Sequence, residues 1–471
     1  MPINTQSSTA AKAPAIATSS PTSHRWEIYH LDLSQGLLDF PPLTCAQGLY
    51  VVLWWHHIPL GHLELPACQL PLTATQWLNL ALPEITATVG SYLLEQGFQA
   101  PLPEVELVTA TPDLSALLSL QRPLQRLLER WQEAATAAQE TVSVVICTRD
   151  RPQQLARCLR SLQSLTTPAH EIIVIDNAPS SEATKQLVAE FPAVRYCQEP
   201  RPGLSVARNR GIAIATGDLI AFTDDDVEVH SHWLEQLRTA FQHPTVMAMT
   251  GLILPARLET EAEEVFQRGS SGFGWGYRPL TFDNLFFENK KPYGVPVWRI
   301  GAGANMAFRR EVFEQLGGFD ERLGAGASGC SEDSEFWYRV LAAEWTCQYQ
   351  PTAVVSHYHR ADFTSLSQQM TAYMRGHVAA LLIQTNRHHH WGNLYRLLVS
   401  LPKYYAKRIT LGLLNGFQGK YRTVFTEIGG CLSGMAYYLR HCANSPPALK
   451  VQPPKPQAPH ISASCADRNN C

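Results

Sequence analysis

The stretch LIAFTDDDV, Leu219–Val227, places three carboxylates, Asp224, Asp225 and Asp226, directly after a short apolar strand, Leu219–Phe222. In an extended chain, side chains at i and i+2 point to the same side. Asp224 and Asp226 can therefore share one divalent cation while Asp225 points away. Two carboxylates at a strand's end build a core poorly but hold a hard metal ion well. Taken alone, the run reads equally as a solvated acidic turn, because charged side chains are mostly exposed.

The flanking sequence decides between these readings. Val142–Cys147 is an apolar run bounded by polar residues, as in a strand buried on both faces. A helix follows, with Leu155, Cys158, Leu159, Leu162 and Leu165 at helical spacing and Pro152 suited to its first turn. Ile172–Ile175 is a second strand, ended by Asp176-Asn177. A helix over about Ser181–Glu190, a short strand Val194–Tyr196 and a helix Leu204–Thr216 stopped by Gly217 complete the approach to the aspartates. A helix around Ser231–Gln242 and a strand Val246–Thr250 come after them. Repeated β-α units predict a largely parallel, right-handed α/β sheet. Ligands of such sheets bind outside the carboxyl ends of the strands. Thr148-Arg149, Asp176-Asn177 and Asp224–Asp226 all sit at such ends, which favours a binding site over a solvated turn.

At 471 residues the chain is too long for one typical core, so two or more domains are expected. The hydrophobic fraction of 45% and charged fraction of 17% describe an ordinary folded protein. A net charge of -3 gives no global electrostatic case for a nucleic-acid partner. The eleven cysteines are scattered, odd in number and without a C-x-x-C pair, which suits a reducing compartment better than a disulfide framework. No apolar run reaches the length of a membrane span, and the N-terminus lacks a secretory pattern. A cytoplasmic location is expected, with the inner face of the plasma membrane as a second possibility.

Residues 1–25, rich in Ala, Ser, Thr and Pro, and residues 445–471, with PPALKVQPPKPQAP, read as disordered tails. Residues 26–140 read as a smaller α+β domain without a catalytic constellation. It has a strand Leu49–Trp55, a hairpin through Ile58–Leu65, a helix Ala74–Gln96 and a polar-faced helix Leu117–Ala137. Leu107–Leu120 carries no nameable chemistry. Trp54, Trp55, His56 and His57 read as hairpin packing. Residues 362–444 read as a helical C-terminal region. There, Lys403, Lys407 and Arg408 lie among Leu401, Tyr404, Tyr405, Ile409 and Leu411, which suits either a peripheral membrane contact or a helix packed on the neighbouring domain. Gly269–Trp298 reads as a long irregular excursion, either an acceptor-side flap or a surface loop packed by its own aromatics. The run His388-His389-His390 reads as a polar turn.

Five ordered motifs fall within about Thr141 to His359. They are VSVVICTRDRPQQLARCLRSL (Val142–Leu162), EIIVIDNAPS (Glu171–Ser180), GLSVARNRGIAIATGDLIAFTDDDV (Gly203–Val227), GAGANMAFRREVFEQLGGFDE (Gly301–Glu321) and the pair Glu332-Asp333. Together they resemble family-2 glycosyltransferases of the GT-A fold, with residues 141–361 as the catalytic domain. The resemblance implies inverting transfer of a sugar from a nucleotide-diphosphate donor, with Mg²⁺ or Mn²⁺. It suits an acceptor that is a saccharide or lipid-linked, as in polysaccharide or cell-envelope biosynthesis.

Asp224 and Asp226 are the candidate metal ligands, with Asp224 also on the donor side and Asp225 facing the donor's ribose or sugar. Thr148, Arg149 and Asp176 are candidates for the nucleoside, Asp176 for the base by resemblance. Arg208 suits the base or the phosphates, because guanidinium makes bidentate contacts; a helix-surface arginine is the other reading. Gly301, Gly303 and Asn305 are expected to shape a loop over the donor sugar. Arg309 and Arg310 suit the surface, and Asp320 an acceptor contact. The acceptor hydroxyl must lose a proton to a nearby carboxylate. Asp333 is the first candidate for that base and Glu332 the second, as base or as orienting group. His357 is a candidate third metal ligand, and spacing alone does not separate it from His359. A nucleotidyltransferase of related topology and a catalytically inactive sugar-nucleotide-binding module are the alternatives. The first lacks a glycine- and lysine-rich loop at the first strand; against the second stand the two aspartates and the acidic pair together.

Overall fold

The structure, a computed structural model, describes residues 25–43, 46–95, 124–129, 131, 133, 140–269 and 275–443. The expected tails apart from Arg25, Leu107–Leu120 and most of Leu117–Ala137 lie outside these residues.

The N-terminal unit is a three-stranded sheet of β1 (Trp26–Asp32), β2 (Gly48–Trp55) and β3 (Ile58–Pro66), in the order β1-β2-β3, backed by the helix Ala74–Glu95. Every residue of β2 is buried, and the period-2 geometry of a strand explains how. Leu49, Val51, Leu53 and Trp55 face a core with Trp77, Ala81 and Ile85 of the helix. Tyr50, Val52 and Trp54 face the other way, into a second core with Leu252, Leu254 and Val354 of the large domain. The Trp54 indole stacks on His230, with ring centroids 5.1 Å apart, and donates to His30 Nδ1 at 3.0 Å. Trp54→Ala is therefore expected to cost about 3 kcal/mol, as buried aromatic truncations do. Urea denaturation checks this; an unchanged midpoint would mean that the two units are not energetically joined.

The large domain is built on a nine-stranded sheet. Its strands are β4 (Val142–Thr148), β5 (Glu171–Asn177), β6 (Val194–Glu199), β7 (Leu219–Asp224), β8 (Val227–Val229), β9 (Val246–Pro255), β10 (Leu280–Phe282), β11 (Asn305–Arg309) and β12 (Thr346–His357). The order is β10-β12-β9-β11-β7-β4-β5-β6, with β8 on β12. The expected parallel sheet holds for β7-β4-β5-β6 and again for β9 and β12. β11 is antiparallel to both its neighbours, as β8 and β10 are to β12, so the sheet as a whole is mixed. The β-α alternation of the sequence ends at β9, and only the parallel half carries its signature.

The register brings the polar strand ends together. Thr148 pairs with Asp176, and Cys147 with Asp224, so β4, β5 and β7 end at one edge. Because β11 runs the opposite way, it starts at that edge, with Asn305 opposite Thr223. The glycine-rich approach Gly301–Ala304 is thereby delivered to the carboxyl ends of the parallel strands. His357, paired with Val227 of β8, comes to the same place from β12.

The segment expected to be irregular differs from that expectation. Residues 275–298 hold β10, the helix Asn284–Lys290 and two short 3-10 turns. Tyr277, Phe282 and Phe287 are buried, and the Phe287 ring packs edge-on against Tyr338 at 5.1 Å. These aromatics pack in the core rather than on a flap; among the described aromatics of the segment, Tyr293 alone is well exposed. Phe273 lies outside the described residues.

Candidate active site

The edge formed by β4, β5 and β7 holds the aspartate run. Ligand atoms of Asp224, Asp226 and His357 lie within 4.8 Å of one another. Asp224 is half-exposed, while Asp226 and His357 are buried. His357 Nε2 stands 3.3 Å from Asp226 Oδ1. Arg151 and Arg360 approach Asp226 Oδ2 at 3.3 and 3.8 Å. Burial alone would raise the Asp226 pKa, but His357 and the two guanidinium groups hold it well below the usual carboxylate range. His359 sits outside this group, bonded to Gln267 and packed on Phe266, so the geometry separates the two histidines in favour of His357.

The donor set of two carboxylate oxygens and one imidazole nitrogen fits a divalent cation. Burial acts to lower the His357 pKa, yet the adjacent Asp226 carboxylate outweighs it and raises the value above 6.5. A cation must displace that proton. Affinity for Mn²⁺ should therefore be full above the raised pKa and fall about tenfold per pH unit below it. Calorimetric titration between pH 6 and 8 checks this, and a flat profile would remove His357 from the ligand set.

The remaining aspartate faces inward. Asp225 accepts from Thr148 Oγ1 at 2.7 Å and from Arg151 Nη1 at 3.0 Å, and is 4% exposed. Burial and the neighbouring Asp226 charge raise its pKa. This corrects the expectation that Asp225 faces the donor. It also uses the Thr148 hydroxyl, which leaves Thr148 as a support for the run. Arg149 is exposed and lies 3.9 Å from Asp150. Asp176 differs: its side chain is buried, Oδ2 accepts from Tyr196 Oη at 2.9 Å, and Oδ1 has no hydrogen-bond partner. Burial raises its pKa. A buried carboxylate oxygen left open is costly in isolation and suits a donor supplied by a ligand.

The acidic pair opens the helix Glu332–Ala342, behind a loop in which Gly324, Gly326 and Gly329 take the positive φ values that favour glycine. Asp333 Oδ2 accepts from the Gly303 amide at 2.8 Å, and Oδ1 from the Ser334 amide at 2.6 Å. Glu332 Oε1 accepts from Arg208 at 2.7 Å, while Oε2 is buried without a partner. Burial raises both carboxyl pKa values, more than the Arg208 charge lowers them.

Arg208 is 2% exposed. Besides Glu332, its guanidinium reaches Asp224 Oδ1 and the Gly303 carbonyl, both at 3.3 Å. The surface reading of Arg208 is overturned, and its donor-binding reading gives way to a brace between the aspartate run and the acidic pair. Gly303 contributes through its backbone, and a Cβ there would stand 2.5 Å from Arg208 Nη2. Asn305 is also corrected. Its Oδ1 accepts from Trp233 and its Nδ2 donates to the Leu252 and Ala353 carbonyls, so a fully buried amide is used up inside the sheet. Asp320 likewise pairs with Arg322 and Arg387 rather than facing an acceptor. Arg309 and Arg310 clamp backbone carbonyls. Sequence reasoning missed Arg151, Arg360 and Tyr196. Arg151 had a signal, because it precedes a helix that starts at a strand's carboxyl end; Arg360 and Tyr196 come from distant segments and had none.

The protein family described as glycosyl transferase family 2 matches residues 143–317, and a second, described as glycosyltransferase like family 2, matches residues 293–376. These spans enclose the aspartate run, the brace and the acidic pair. The α/β domain belongs to glycosyltransferase family 2. A glucosyl-dolichyl phosphate glucuronosyltransferase of Haloferax volcanii is 27% identical over 193 residues, covering 39% of this chain and 57% of the relative. The succinoglycan biosynthesis protein ExoM of Rhizobium meliloti is 30% identical over 226 residues, covering 45% of this chain and 65% of the relative. A pre-mycofactocin glycosyltransferase of Mycobacterium tuberculosis is 28% identical over 220 residues, covering 46% and 43%. This chain thus spans 43% to 65% of the length of these relatives. A Pyrobaculum calidifontis mannosyltransferase, solved with GDP-Man and Mn²⁺, superposes with a TM-score of 0.42 at 16% identity, over 66% of this chain and 95% of that one.

Proposed function

We propose that this chain is an inverting, metal-dependent glycosyltransferase that moves a sugar from a nucleoside diphosphate to a saccharide or lipid-linked acceptor. One observation carries the reading: the Asp224–Asp226–His357 cluster and the Glu332–Asp333 pair are joined through Arg208 at the carboxyl edge of the sheet. A donor that departs as a diphosphate builds up charge on phosphate oxygens. A cation held by Asp224, Asp226 and His357 supplies the Lewis acid for that charge. The imidazole in the set favours Mn²⁺ over Mg²⁺. Asp176 Oδ1 accepts an N–H of the nucleobase. Asp333 takes the acceptor's proton, held in place by the Gly303 and Ser334 amides. Arg208 keeps the acidic pair and Asp224 in register and excludes water between them.

The test is calorimetry with Mn²⁺ and a panel of UDP-, GDP- and dTDP-sugars, together with nucleotide release in the presence of saccharide acceptors. One nucleotide class should bind, and Asp176→Ala should weaken it by about tenfold to a hundredfold, the worth of a buried hydrogen bond to a charged group. Absence of binding to every donor, or binding unchanged in Asp176→Ala, would overturn the reading. Release of pyrophosphate rather than nucleoside diphosphate would identify the nucleotidyltransferase alternative.

A further inference from the structure

No helix among the described residues is long and apolar enough to cross a membrane. Yet ten of their fourteen exposed large apolar side chains lie between Trp391 and Leu439. The helix Val424–His441 packs on the helix Phe363–His388 through a glycine face. A Cβ added at Gly430 or Gly434 would stand 2.5 Å from the Thr371 or Arg375 carbonyl. That close approach fixes which face turns outward. Phe425, Leu432, Met435 and Leu439 fall within an arc of about 80° on the opposite side, and all four are exposed. The preceding helix, Leu401–Leu414, buries Leu401, Tyr405 and Gly412. Lys403, Lys407 and Leu414 then share an outer stripe about 40° wide, and all are exposed.

Charge identifies what such a surface fits. Residues 392–441 hold seven Lys or Arg and a single acid, Glu427. Glu427 is buried, accepting from Thr423 and Tyr405 and pairing with Arg408 at 3.2 Å. The outer faces are therefore apolar and basic with no exposed carboxylate. A two-fold contact with a second copy would set this basic surface against itself. We propose that the helical pair Leu401–Leu414 and Val424–His441 docks this protein on an anionic lipid surface, apolar side chains entering the acyl boundary and lysines at the headgroups.

The turn between these helices is moored on the first turns of two large-domain helices, Glu261–Arg268 and Phe363–His388. Arg422 lies 3.4 Å from Glu261 and 3.7 Å over the Phe363 ring, three residues beyond Arg360, which is 3.8 Å from Asp226. Docking would bring the lipid surface to the metal-binding edge, where a lipid-linked acceptor could be presented; this last step rests on the transfer reading.

Flotation of the full chain with phosphatidylcholine vesicles, with and without phosphatidylglycerol, tests the proposal. The protein should float only with the anionic vesicles, and less at high salt. Lys403→Gln and Lys407→Gln should each weaken binding roughly fivefold, and Phe425→Ser combined with Leu432→Ser should abolish it. No flotation, equal flotation on both vesicles, or flotation unchanged in these variants overturns the proposal. So does a dimer, seen by light scattering, that Phe425→Ser dissociates. Donor binding is measured on the same samples. Its retention in the variants shows that they are folded, and its absence from the unaltered protein sinks the transfer reading while leaving the lipid result to stand.

Discussion

Asp226→Asn should lower sugar transfer by about a thousandfold, since Lewis-acid stabilisation of a leaving diphosphate supplies several kcal/mol. The substitution preserves shape and removes one charge. That charge is faced by His357, Arg151 and Arg360 at 3.3, 3.3 and 3.8 Å; without it burial favours neutral His357, and the two guanidinium groups lose their common counter-ion. They would then repel the incoming cation. Mn²⁺ affinity should fall with turnover, and saturating metal should restore only part of the rate. Asp225→Asn provides the contrast. Its carboxylate is committed to Thr148 and Arg151, so its loss should act through stability more than through metal binding. Metal titration and turnover on both variants separate the two. Turnover of Asp226→Asn within tenfold of the unaltered protein would place the charge stabilisation elsewhere.

Asp333→Asn should keep donor affinity within about threefold and lose transfer by a hundredfold to ten-thousandfold, the usual range for a general base. Asparagine retains an acceptor oxygen for the Gly303 amide but gives up the bond from the Ser334 amide, so retained donor affinity is the control that separates lost proton abstraction from a displaced loop. Glu332→Gln is the discriminating partner. It removes the charge that faces Arg208 across the 2.7 Å pair and should therefore loosen the brace on the metal side as well, with a loss in donor binding that Asp333→Asn does not show. If instead Glu332→Gln abolishes transfer with donor binding intact while Asp333→Asn is active, the two roles are exchanged. Single-turnover kinetics with preloaded donor makes the distinction cleanly.

The parallel half of the sheet was legible because apolar runs and helical periodicity are local signals. Val142–Cys147 and Leu219–Phe222 declared themselves, and so did the strand ends that carry Asp176 and Asp224. β11 was not legible as an antiparallel insertion, because nothing in the local pattern of Asn305–Arg309 states a partner's direction. Asn305 was misread for a related reason: its three hydrogen bonds go to residues 48 to 72 positions away, and they turn an apparent loop amide into a sheet fastener. Arg208 shows the same limit, since its 124-residue reach to Glu332 exists only once the chain is folded. The aromatic segment was misjudged because glycine density and aromatic content look alike in a flap and in a loop that fills a core. Tyr277 and Phe287 are buried by elements far from them in sequence.

The double-sided burial of β2 also bears on how this protein can be handled. The division near residue 140 is a boundary in sequence but not a place to cut. A truncation that begins there would strip Tyr50, Val52 and Trp54 from Leu252, Leu254 and Val354, and leave a bare apolar stripe on one face of the remaining sheet. Stripes of that kind make proteins aggregate rather than work alone. The sheet of residues 26–66 thus covers an apolar face of the domain that follows.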